Sequence, residues 1–502
     1  HSSTMSAWAW AVASFLLLYG LWSFPLSVFG PERSRIPGTS CEPQLTNYML
    51  EHFHRWSSGR EQHYWDAPFQ YPCKSASVHT DDPLGTAPVY SAFRQVGFNR
   101  ESAYQLWLLS MFALNYTGCF LALRAWTRRT LLAACGAYVF AFGIHNIGLL
   151  EQAQVMPKFL APVALWTFWK ALEQRDQRAL LLTGVAVSLQ LYCSLSIGAM
   201  LVIVLFFLWL ASNLARHHDP PTTRVTTSAW VASSGLAALL VLVLLFPLLK
   251  ALWQASWDQT SDAPPVTFPH IRSLFSSHPA ALSWHDLSRQ PRSAPEGAYF
   301  MGALPWIGII CLPILIMSAR PGHERKRPII VLSLTLLFSV LFFTRFMALS
   351  LGGALLSLPA LHTARMADAS IHLQGMLFTL LPLLLVSSLR LRPWMSLLGA
   401  VVLPVLVLVD NRIDTRSILC SDKYVVRAQV EDVARSITQQ SGASRSVVSY
   451  APVSGLASSA VTADRQDHIA MNAMLAAQRL GLPITNGYPA TIAVAGSCAD
   501  PR

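Results

Sequence analysis

Residues 103–123 read AYQLWLLSMFALNYTGCFLAL, a stretch that contains no charged side chain. An α-helix rises about 1.5 Å per residue, so about 20 apolar residues cross the roughly 30 Å hydrocarbon core of a bilayer. Arg124 follows the stretch directly and marks its polar end. The stretch therefore predicts a helix that spans a membrane.

The composition of the whole chain agrees with this prediction. Of its 502 residues, 53% are hydrophobic and 13% are charged, and the mean hydropathy is +0.40. Such values exceed what a soluble core needs and are typical of a polytopic membrane protein. The formal net charge of +11 comes from Lys and Arg in short clusters between apolar stretches, which argues against nucleic-acid binding.

Further apolar stretches precede and follow residues 103–123, and each suits a membrane helix or most of one. The first is expected to be retained rather than cleaved as a signal peptide, because it has no clear small-residue cleavage site. We expect about eleven membrane helices: Trp8–Phe29, Ala103–Leu123, Leu131–Leu150, Met156–Trp169, Ala179–Cys193, Ile197–Leu214, Ala229–Leu252, Phe300–Met317, Pro328–Phe346, Ile371–Leu389 and Pro393–Val409.

Positive charge alternates between the two ends of these predicted helices. The positive-inside rule makes the basic side cytoplasmic, so the N-terminus is expected in the cytoplasm and the C-terminus on the outer face. The basic residues stand in the short loops after the second, fourth, sixth, eighth and tenth helices: Arg124, Arg128, Arg129; Lys170, Arg175, Arg178; Arg216, Arg224; Arg320, Arg325, Lys326, Arg327; and Arg390, Arg392.

Two long polar stretches lie on the predicted outer side. Residues 30–102 form a loop too long for a simple connector, and residues 251–299 carry the Trp and His residues typical of helices in the membrane interface. We assign residues 6–410, which include both stretches, to the transmembrane domain.

Residues 411–502 are polar and mixed in character, and we predict that they form a small α/β domain on the outer face. Apolar residues at helical spacing predict helices over Tyr424–Gln439 and Asp464–Leu480. The stretch Ser446–Tyr450 is predicted to be a strand. The fold class expected for the chain is thus an α-helical polytopic membrane protein with outer loops and a small C-terminal α/β domain.

Four of the eight cysteines lie outside the predicted membrane helices, and they fall in two pairs. Cys41 and Cys73 share loop 30–102, whereas Cys420 and Cys498 bracket the C-terminal segment. Disulfides persist only in oxidising compartments, which agrees with an outer location. The sequence predicts the disulfides Cys41–Cys73 and Cys420–Cys498, with chance co-location as the alternative.

Loop 30–102 contains the stretch Thr80-Asp81-Asp82-Pro83-Leu84-Gly85-Thr86-Ala87-Pro88-Val89-Tyr90. Ionised side chains near hydrocarbon are costly and usually functional, although Asp-Asp-Pro also suits a solvated turn. Pro83 biases Asp82 towards an extended conformation, in which neighbouring side chains point to opposite sides. Asp81 and Asp82 therefore cannot easily face the same substrate group.

Cationic and polar residues also collect on the outer side. Lys158 stands at the start of the fourth predicted helix, where it either snorkels to lipid headgroups or binds a phosphate group. Arg365 lies in a short outer loop, on the side normally poor in basic residues, and anion binding is the simplest reason for it. His145, Glu151 and Glu296 stand near helix ends and are supporting candidates.

Three groups of short motifs follow one another along this topology. They are Tyr71-Pro72 with Asp81-Asp82-Pro83-Leu84-Gly85 and Pro88-Val89-Tyr90; Pro295-Glu296-Gly297 through Gly302; and Met474-Leu475-Ala476-Ala477-Gln478-Arg479-Leu480-Gly481-Leu482-Pro483 with Asn486-Gly487-Tyr488. In this order they resemble the GT-C superfamily of polytopic glycosyltransferases, and more closely a largely uncharacterised bacterial group of GT-C-like membrane proteins. The last motif departs from that group, since Pro489-Ala490 follows where a Gly-containing turn is usual.

GT-C enzymes use polyprenyl-phosphate-linked sugars and carry an acidic motif in the first outer loop. The resemblance implies an enzyme of the bacterial inner membrane that moves a sugar to a glycan, lipid or protein acceptor on the extracytoplasmic face. The spacing of the acid before Leu84-Gly85 implies that Asp82 is the catalytic base and Asp81 its support. Lys158 and Arg365 would bind the donor phosphate. Two carboxylates also suit Mg²⁺ or Mn²⁺, and the spacing does not decide whether a metal is bound.

Two other functions fit the same residues. A transporter or flippase for a lipid-linked solute would use the same cations, but no predicted helix carries the central charge expected for alternating access. A non-catalytic scaffold in the cell envelope is the second alternative. Turnover of a polyprenyl-phosphate sugar in detergent distinguishes the enzyme from both.

Overall fold

A computed structural model describes residues 2–148, 150–215, 227–254, 268–287, 297–311, 313, 323–346, 350–356, 370–388, 393–441, 447–449 and 460–485. Regular structure in these residues is almost entirely α-helical. The helices are α1 (Ser2–Leu21), α2 (Glu42–Ser57), α3 (Ala87–Gln95), α4 (Arg100–Thr127), α5 (Thr130–Phe142), α6 (Leu160–Gln174), α7 (Gln177–Cys193), α8 (Leu195–Ala215), α9 (Thr227–Gln254), α10 (Ala303–Ile310), α11 (His323–Phe343), α12 (Leu351–Leu356), α13 (Ser370–Ser388), α14 (Pro393–Asp410), α15 (Lys423–Ser441) and α16 (Ala460–Leu480).

A helix occurs at each apolar stretch of the sequence, and the chain is a helical membrane protein. That all eleven stretches cross the membrane stays a prediction, because six of their helices are not among those with enough length and apolar character: α5, α6, α7, α10, α11 and α14. Within the described residues, five helices are long and apolar enough to cross a membrane, and three apolar helices are shorter. The five are Ala7–Leu26, Arg100–Thr127, Leu195–Ala215, Ser234–Trp253 and Ser370–Ser387, and the three are Thr130–Asn146, Arg327–Phe343 and Leu398–Asp410.

Helices α1, α4, α8 and α11 pack around α5 and α13. α5 contacts α1, α4 and α13, and α13 also packs against α8 and α11. Buried rings fill the contact near α1: Phe112 stacks on Phe142 with ring centroids 5.9 Å apart, and Phe24 meets Phe112 edge-on at 5.4 Å. Such ring pairs stabilise the bundle beyond the burial of their apolar area.

A second hydrophobic core lies outside this bundle. It joins α2 of loop 30–102 to α15 and α16 of the C-terminal segment, with Tyr48 and Met49 from α2 and Met471 and Met474 from α16. The two segments are also linked by an antiparallel pair of short strands, β1 (Arg35–Pro37) and β2 (Cys420–Asp422). Loop 30–102 and the described part of residues 411–502 therefore share one core.

The secondary structure of the C-terminal segment agrees with the sequence in part. The helices predicted over Tyr424–Gln439 and Asp464–Leu480 are present as α15 and α16. Of the predicted strand over Ser446–Tyr450, only residues 447–449 are described, and Val448 forms a single bridge to Ile484. A separate α/β domain over residues 411–502 stays a prediction.

The cysteines do not form the predicted pairs. Cys41 lies directly before α2 and Cys420 lies in β2, and both keep their thiols. The Cys41 sulfur is 3.4 Å from Nδ1 of His468 on α16. Cys73 is disulfide-bonded, and Cys498 lies outside the described residues. The predictions Cys41–Cys73 and Cys420–Cys498 are wrong, because Cys41 and Cys420 keep their thiols. The shared core places Cys41 against α16, and the pairing of β2 with β1 places the Cys420 sulfur 4.0 Å from the Val28 carbonyl oxygen.

Gly302 directly precedes α10 and has a left-handed φ of 92°. The Asp410 carboxylate, at the end of α14, accepts hydrogen bonds from the backbone N–H groups of Ala303 at 2.9 Å and Leu304 at 3.1 Å. A Cβ on residue 302 would collide with Oδ2 of Asp410. Glycine is needed here for the backbone conformation and for the approach of the carboxylate that caps α10.

We therefore expect Gly302→Ala to lower the melting temperature of the purified protein, since overpacking of this kind typically costs about 1–3 kcal/mol. Gly399→Ala in α14 is the matched control, because a Cβ there meets no atom within 4 Å. That variant should melt at the wild-type temperature or slightly above it. Equal melting temperatures for the two variants would contradict the role of Gly302.

Candidate functional site

Asp81 caps a helix that lies far along the chain. Its Oδ1 accepts a hydrogen bond from the backbone N–H of Leu195 at 2.7 Å. Its Oδ2 accepts one from the N–H of Ser196 at 3.3 Å and one from the Ser194 hydroxyl at 3.1 Å. The first N–H groups of α8 have no partner within their own helix and attract negative charge. Both oxygens of Asp81 are thus occupied at the junction of α7 and α8.

Gly85 brings the same loop against the end of α7. Its N–H donates to the carbonyl oxygen of Tyr192 at 2.6 Å. A Cβ on residue 85 would lie 2.8 Å from Sγ of Cys193 and 2.9 Å from the Cys193 backbone nitrogen. The absence of a side chain at Gly85 therefore allows the close approach of the two backbones.

Asp82 makes a different set of contacts from its neighbour. Its Oδ2 accepts a hydrogen bond from the Tyr64 hydroxyl, whereas Oδ1 is buried and has no hydrogen-bond partner in the described structure. Asp82 lines a small cavity of about 20 Å³ together with Trp65, Thr80 and Leu195. Such a volume holds about one water molecule. A buried oxygen without a donor costs free energy, so the site favours a ligand that donates a hydrogen bond.

Tyr64 is held in place by a charged pair. Nε2 of His52 lies 2.7 Å from the Tyr64 carbonyl oxygen, and the two rings stack with centroids 5.2 Å apart. Nδ1 of the fully buried His52 forms an ion pair with Glu61, which also accepts a hydrogen bond from Nε of Arg55 at 2.6 Å. Helix α2 thus supplies the side chain that orients Tyr64 against Asp82.

These surroundings set the protonation of Asp82. Burial raises the pKa of Asp82 to about 7, while the Tyr64 hydrogen bond and the charge of His52 oppose the rise. Burial lowers the pKa of His52, but the hydrogen bond and charge of Glu61 outweigh it, so the net shift is upward. Burial raises the pKa of Asp81 against the hydrogen bonds from α8. Asp82 therefore titrates near neutral pH, where general bases work best.

Lys158 is fully buried just before α6. Its Nζ lies 2.6 Å from Oδ1 of Asn146 and 2.6 Å from Nδ1 of His372, and it stands 4.6 Å from the centre of the Phe140 ring. The snorkelling interpretation is wrong, because the ammonium group does not reach the surface. Asn146 and Phe140 carry no charge, and a histidine such as His372 can be neutral. None of the three neighbours is a carboxylate.

His145 and Glu151 occupy different surroundings. His145 is buried next to Asn146, within the influence of the Lys158 charge, and neither of its ring nitrogens has a hydrogen-bond partner among the described residues. Glu151 lies near β1, where its Oε1 accepts a hydrogen bond from the backbone N–H of Thr39 at 3.4 Å. His145 thus belongs to the Lys158 cluster, and Glu151 does not.

The remaining predicted residues cannot be placed in the site. Glu296 and Arg365 lie outside the described residues. The described contacts of Lys158 and of Asp82 involve different residues, so these contacts do not bring the two clusters together. The roles assigned to the predicted site residues stay predictions.

Three residues that surround the two clusters escaped the sequence analysis: His52, Tyr64 and His372. The signal for the first two was the density of His, Tyr and Trp in residues 52–65 of the long loop 30–102. His372 sits near the start of an apolar helix, where a single histidine carries no recognisable pattern.

The described side chains do not assemble a metal site. No group of three or more His, Cys, Asp and Glu residues that could hold a metal ion occurs in the part of the chain that the structure describes. Asp81 and Asp82 form no joint pair of ligands, because the N-terminus of α8 occupies Asp81. These residues therefore do not supply the paired carboxylates that Mg²⁺ or Mn²⁺ would use.

The similarity of this chain to known proteins is low. No protein-family model matches the chain, and no curated protein matches it. Among solved structures, the chain is similar to the crystal structure of ArnT from Cupriavidus metallidurans in the apo state, with 13% sequence identity and a TM-score of 0.42. The match covers 99% of this chain and 77% of that chain. A likeness of this size assigns neither a family nor an activity.

The raised pKa of Asp82 has a consequence for stability. Between its ordinary pKa near 4 and its folded value of about 7, the folded state binds more protons than the unfolded state. Stability therefore falls as the pH rises through this window. We expect Asp82→Asn to melt several degrees above the wild type at pH 8 and close to it at pH 5, in thermal melts of detergent-purified protein.

Asp432→Asn, which alters an exposed carboxylate on α15, is the control for this experiment. Its melting temperature relative to the wild type should be the same at both pH values. An Asp82→Asn difference that stays constant from pH 5 to pH 8 would show that the Asp82 carboxylate is not destabilised by burial.

Proposed function

We propose that this chain is a membrane glycosyltransferase that moves a sugar from a polyprenyl-phosphate carrier to a hydroxyl group of a glycan, lipid or protein acceptor. One observation carries the proposal: Asp82 has a pKa of about 7 and a buried oxygen without a hydrogen-bond donor, next to helices of a membrane protein. The sequence resemblance to GT-C enzymes supplies the donor class. The extracytoplasmic location of the site belongs to the same proposal.

Asp82 acts as the general base in this mechanism. The acceptor hydroxyl donates a hydrogen bond to Oδ1 of Asp82, while Tyr64 holds Oδ2 and fixes the plane of the carboxylate. A base with a pKa near the working pH is deprotonated often enough to act and still binds a proton well. The buried surroundings also strengthen its interaction with the acceptor.

The transfer step is a displacement at the anomeric carbon. The acceptor oxygen forms a new bond to that carbon while the bond from the carbon to the phosphate oxygen breaks. The electron pair of the broken bond leaves with the polyprenyl phosphate. The acceptor proton moves to Asp82, which returns it to the departing phosphate or to solvent, so the enzyme ends the cycle unchanged.

Asp81 serves as a positioning residue. Its hydrogen bonds to the start of α8 fix the backbone of the loop one residue before Asp82. Because the Asp81 oxygens already accept three hydrogen bonds, they are less free than Oδ1 of Asp82 to accept a proton from a substrate. This division of roles supports the prediction that Asp82 is the base.

Lys158 is the proposed partner of the donor phosphate. A buried ammonium group is costly unless an anion lies close to it, and its described partners, Asn146 and His372, are not anions. The charge that develops on the leaving phosphate would provide this anion, and the ammonium group would stabilise it in the transition state. Arg365 is proposed as a second cation for the same group.

We expect Asp82→Asn to lower the transfer rate on the order of 10²–10⁴-fold, because it keeps the shape of the side chain and removes the base. Asp81→Asn should cause a smaller loss, since only the anchoring of the loop is weakened. The measurement is turnover of a polyprenyl-phosphate sugar by detergent-purified protein. The reverse order of effects would exchange the two roles, and two fully active variants would exclude a catalytic role for this loop.

Lys158→Met should raise the apparent KM for the donor roughly ten- to a hundredfold, the scale of a lost charge-assisted hydrogen bond. Arg365→Met should act in the same direction. Lys170→Met is the matched control, because Lys170 lies at the other end of α6 and pairs with Asp176. A donor KM that equals the wild-type value in Lys158→Met and Arg365→Met would remove both residues from the donor site.

A further inference from the structure

A cavity of about 290 Å³ lies among α2, the start of α4, α15 and α16, apart from the small cavity at Asp82. Arginine dominates the charged residues of its wall, with two glutamates, Glu51 and Glu101, beside them. The arginines are Arg55, Arg60, Arg94, Arg100, Arg427 and Arg479. We call this cavity the arginine pocket.

Four of the arginines have carboxylate partners. Arg94 donates to Glu51 through Nε at 2.8 Å and Nη2 at 3.1 Å. Arg55 pairs with Glu61. The remaining two, Arg427 and Arg479, share one carboxylate oxygen of Glu431, at 3.1 Å and 2.9 Å.

Arg100 differs from these four. Its Nε and Nη2 are buried and have no hydrogen-bond partner in the described residues. The carboxylate of the nearby Glu51 is occupied by other donors: it accepts two hydrogen bonds from Arg94 and a third from the Tyr90 hydroxyl at 2.6 Å. Buried guanidinium nitrogens without an acceptor are costly, so Arg100 favours a bound anion.

Two amides in the same wall also have unused acceptors. Gln44 and Gln478 are largely enclosed, with 9% and 1% of their surface exposed. Their side-chain oxygens are buried and lack hydrogen-bond donors in the described structure. The residues that line the pocket therefore include Arg100, which has unused donors, and two glutamines, which have unused acceptors. A ligand that satisfies both needs an anionic group and hydroxyl groups.

We propose that the arginine pocket binds a phosphate group carried by a small polyol, with Arg100 as its principal ligand. The planar guanidinium group offers two parallel N–H donors that match two phosphate oxygens. Hydroxyl groups of the polyol donate to Gln44 and Gln478. The volume of the pocket lies at the lower end of the range for ligand cavities, which suits a headgroup rather than a long glycan.

The position of the pocket allows two sources for this ligand. Arg100 is the first residue of α4, one of the helices long and apolar enough to cross a membrane. A phospholipid headgroup could therefore reach the pocket from the bilayer, and a soluble phosphorylated polyol could reach it from water. Both carry the same chemistry, and the experiment separates them.

The test uses the full-length protein in detergent. Calorimetry measures the binding of glycerol 3-phosphate, a soluble ligand, with glycerol as the control. Native mass spectrometry measures the binding of phosphatidylglycerol, a lipid, with phosphatidylcholine as the control. We expect saturable binding of at least one phosphorylated probe. Arg100→Gln should weaken that binding roughly ten- to a hundredfold. Arg435→Gln is the control, because Arg435 is exposed on α15 and pairs only locally with Asp432, and it should bind like the wild type.

Binding of glycerol 3-phosphate alone identifies a soluble ligand, binding of phosphatidylglycerol alone identifies a lipid headgroup, and binding of both supports the shared chemistry. Failure of both probes, or Arg100→Gln affinity equal to the wild type, overturns the proposal. Should Arg100→Gln fail to fold, Arg60→Gln replaces it, since Arg60 lines the pocket with an exposed side chain. A several-fold loss of affinity is expected there, and no loss overturns the proposal.

The pocket does not depend on the transferase proposal. Asp82 is not among its lining residues, so Asp82→Asn should leave probe binding unchanged. Two results separate the two proposals. One is loss of probe binding with normal sugar turnover in Arg100→Gln, and the other is loss of sugar turnover with normal probe binding in Asp82→Asn.

Discussion

The site depends first on the binding of the Asp81 carboxylate to the start of α8. This contact fixes the loop of residues 80–86 against the start of α8, beside the backbone hydrogen bond from Gly85 to Tyr192. At the end of the same loop, Thr86 accepts a hydrogen bond from Nε1 of Trp107 on α4 at 3.1 Å. Adjacent residues in an extended stretch direct their side chains to opposite sides. Anchoring Asp81 therefore leaves Asp82 free to meet Tyr64. The Asp81 carboxylate fixes the position of the loop, and the Asp82 carboxylate keeps one oxygen without a hydrogen-bond partner in the described structure.

Helix α2 connects this site to the arginine pocket. Glu51 of α2 accepts hydrogen bonds from Arg94 in the pocket wall, and the next residue, His52, pairs with Glu61 and stacks on Tyr64. Arg55, one turn farther on α2, lines the pocket and binds the same Glu61. One helix thus supplies part of the wall of the arginine pocket and also the side chain that orients Tyr64 against Asp82.

The sequence predicted the elements of the structure better than their contacts. Apolar stretches located the membrane helices, because hydrophobic length is a property of consecutive residues. The loop with Asp81 and Asp82 was also found, but the partner of Asp81 was not, since Ser194 lies 113 residues farther along the chain. Contacts between residues so far apart in the chain are set by how the helices pack, which local sequence patterns do not encode. The same reason explains the wrong cysteine pairs: loop membership does not give the Cβ separation that a disulfide requires.

The central claim is that a hydroxyl group of the acceptor binds to the free oxygen of Asp82 while the donor phosphate lies near Lys158. A cryo-electron microscopy structure of the Asp82→Asn variant in a lipid nanodisc, with a polyprenyl-phosphate sugar bound, tests this claim most directly. The account predicts density for the sugar beside residue 82 and for the phosphate within hydrogen-bonding distance of the Lys158 ammonium group. A donor bound with its phosphate away from Lys158 and its sugar away from residue 82 would contradict it.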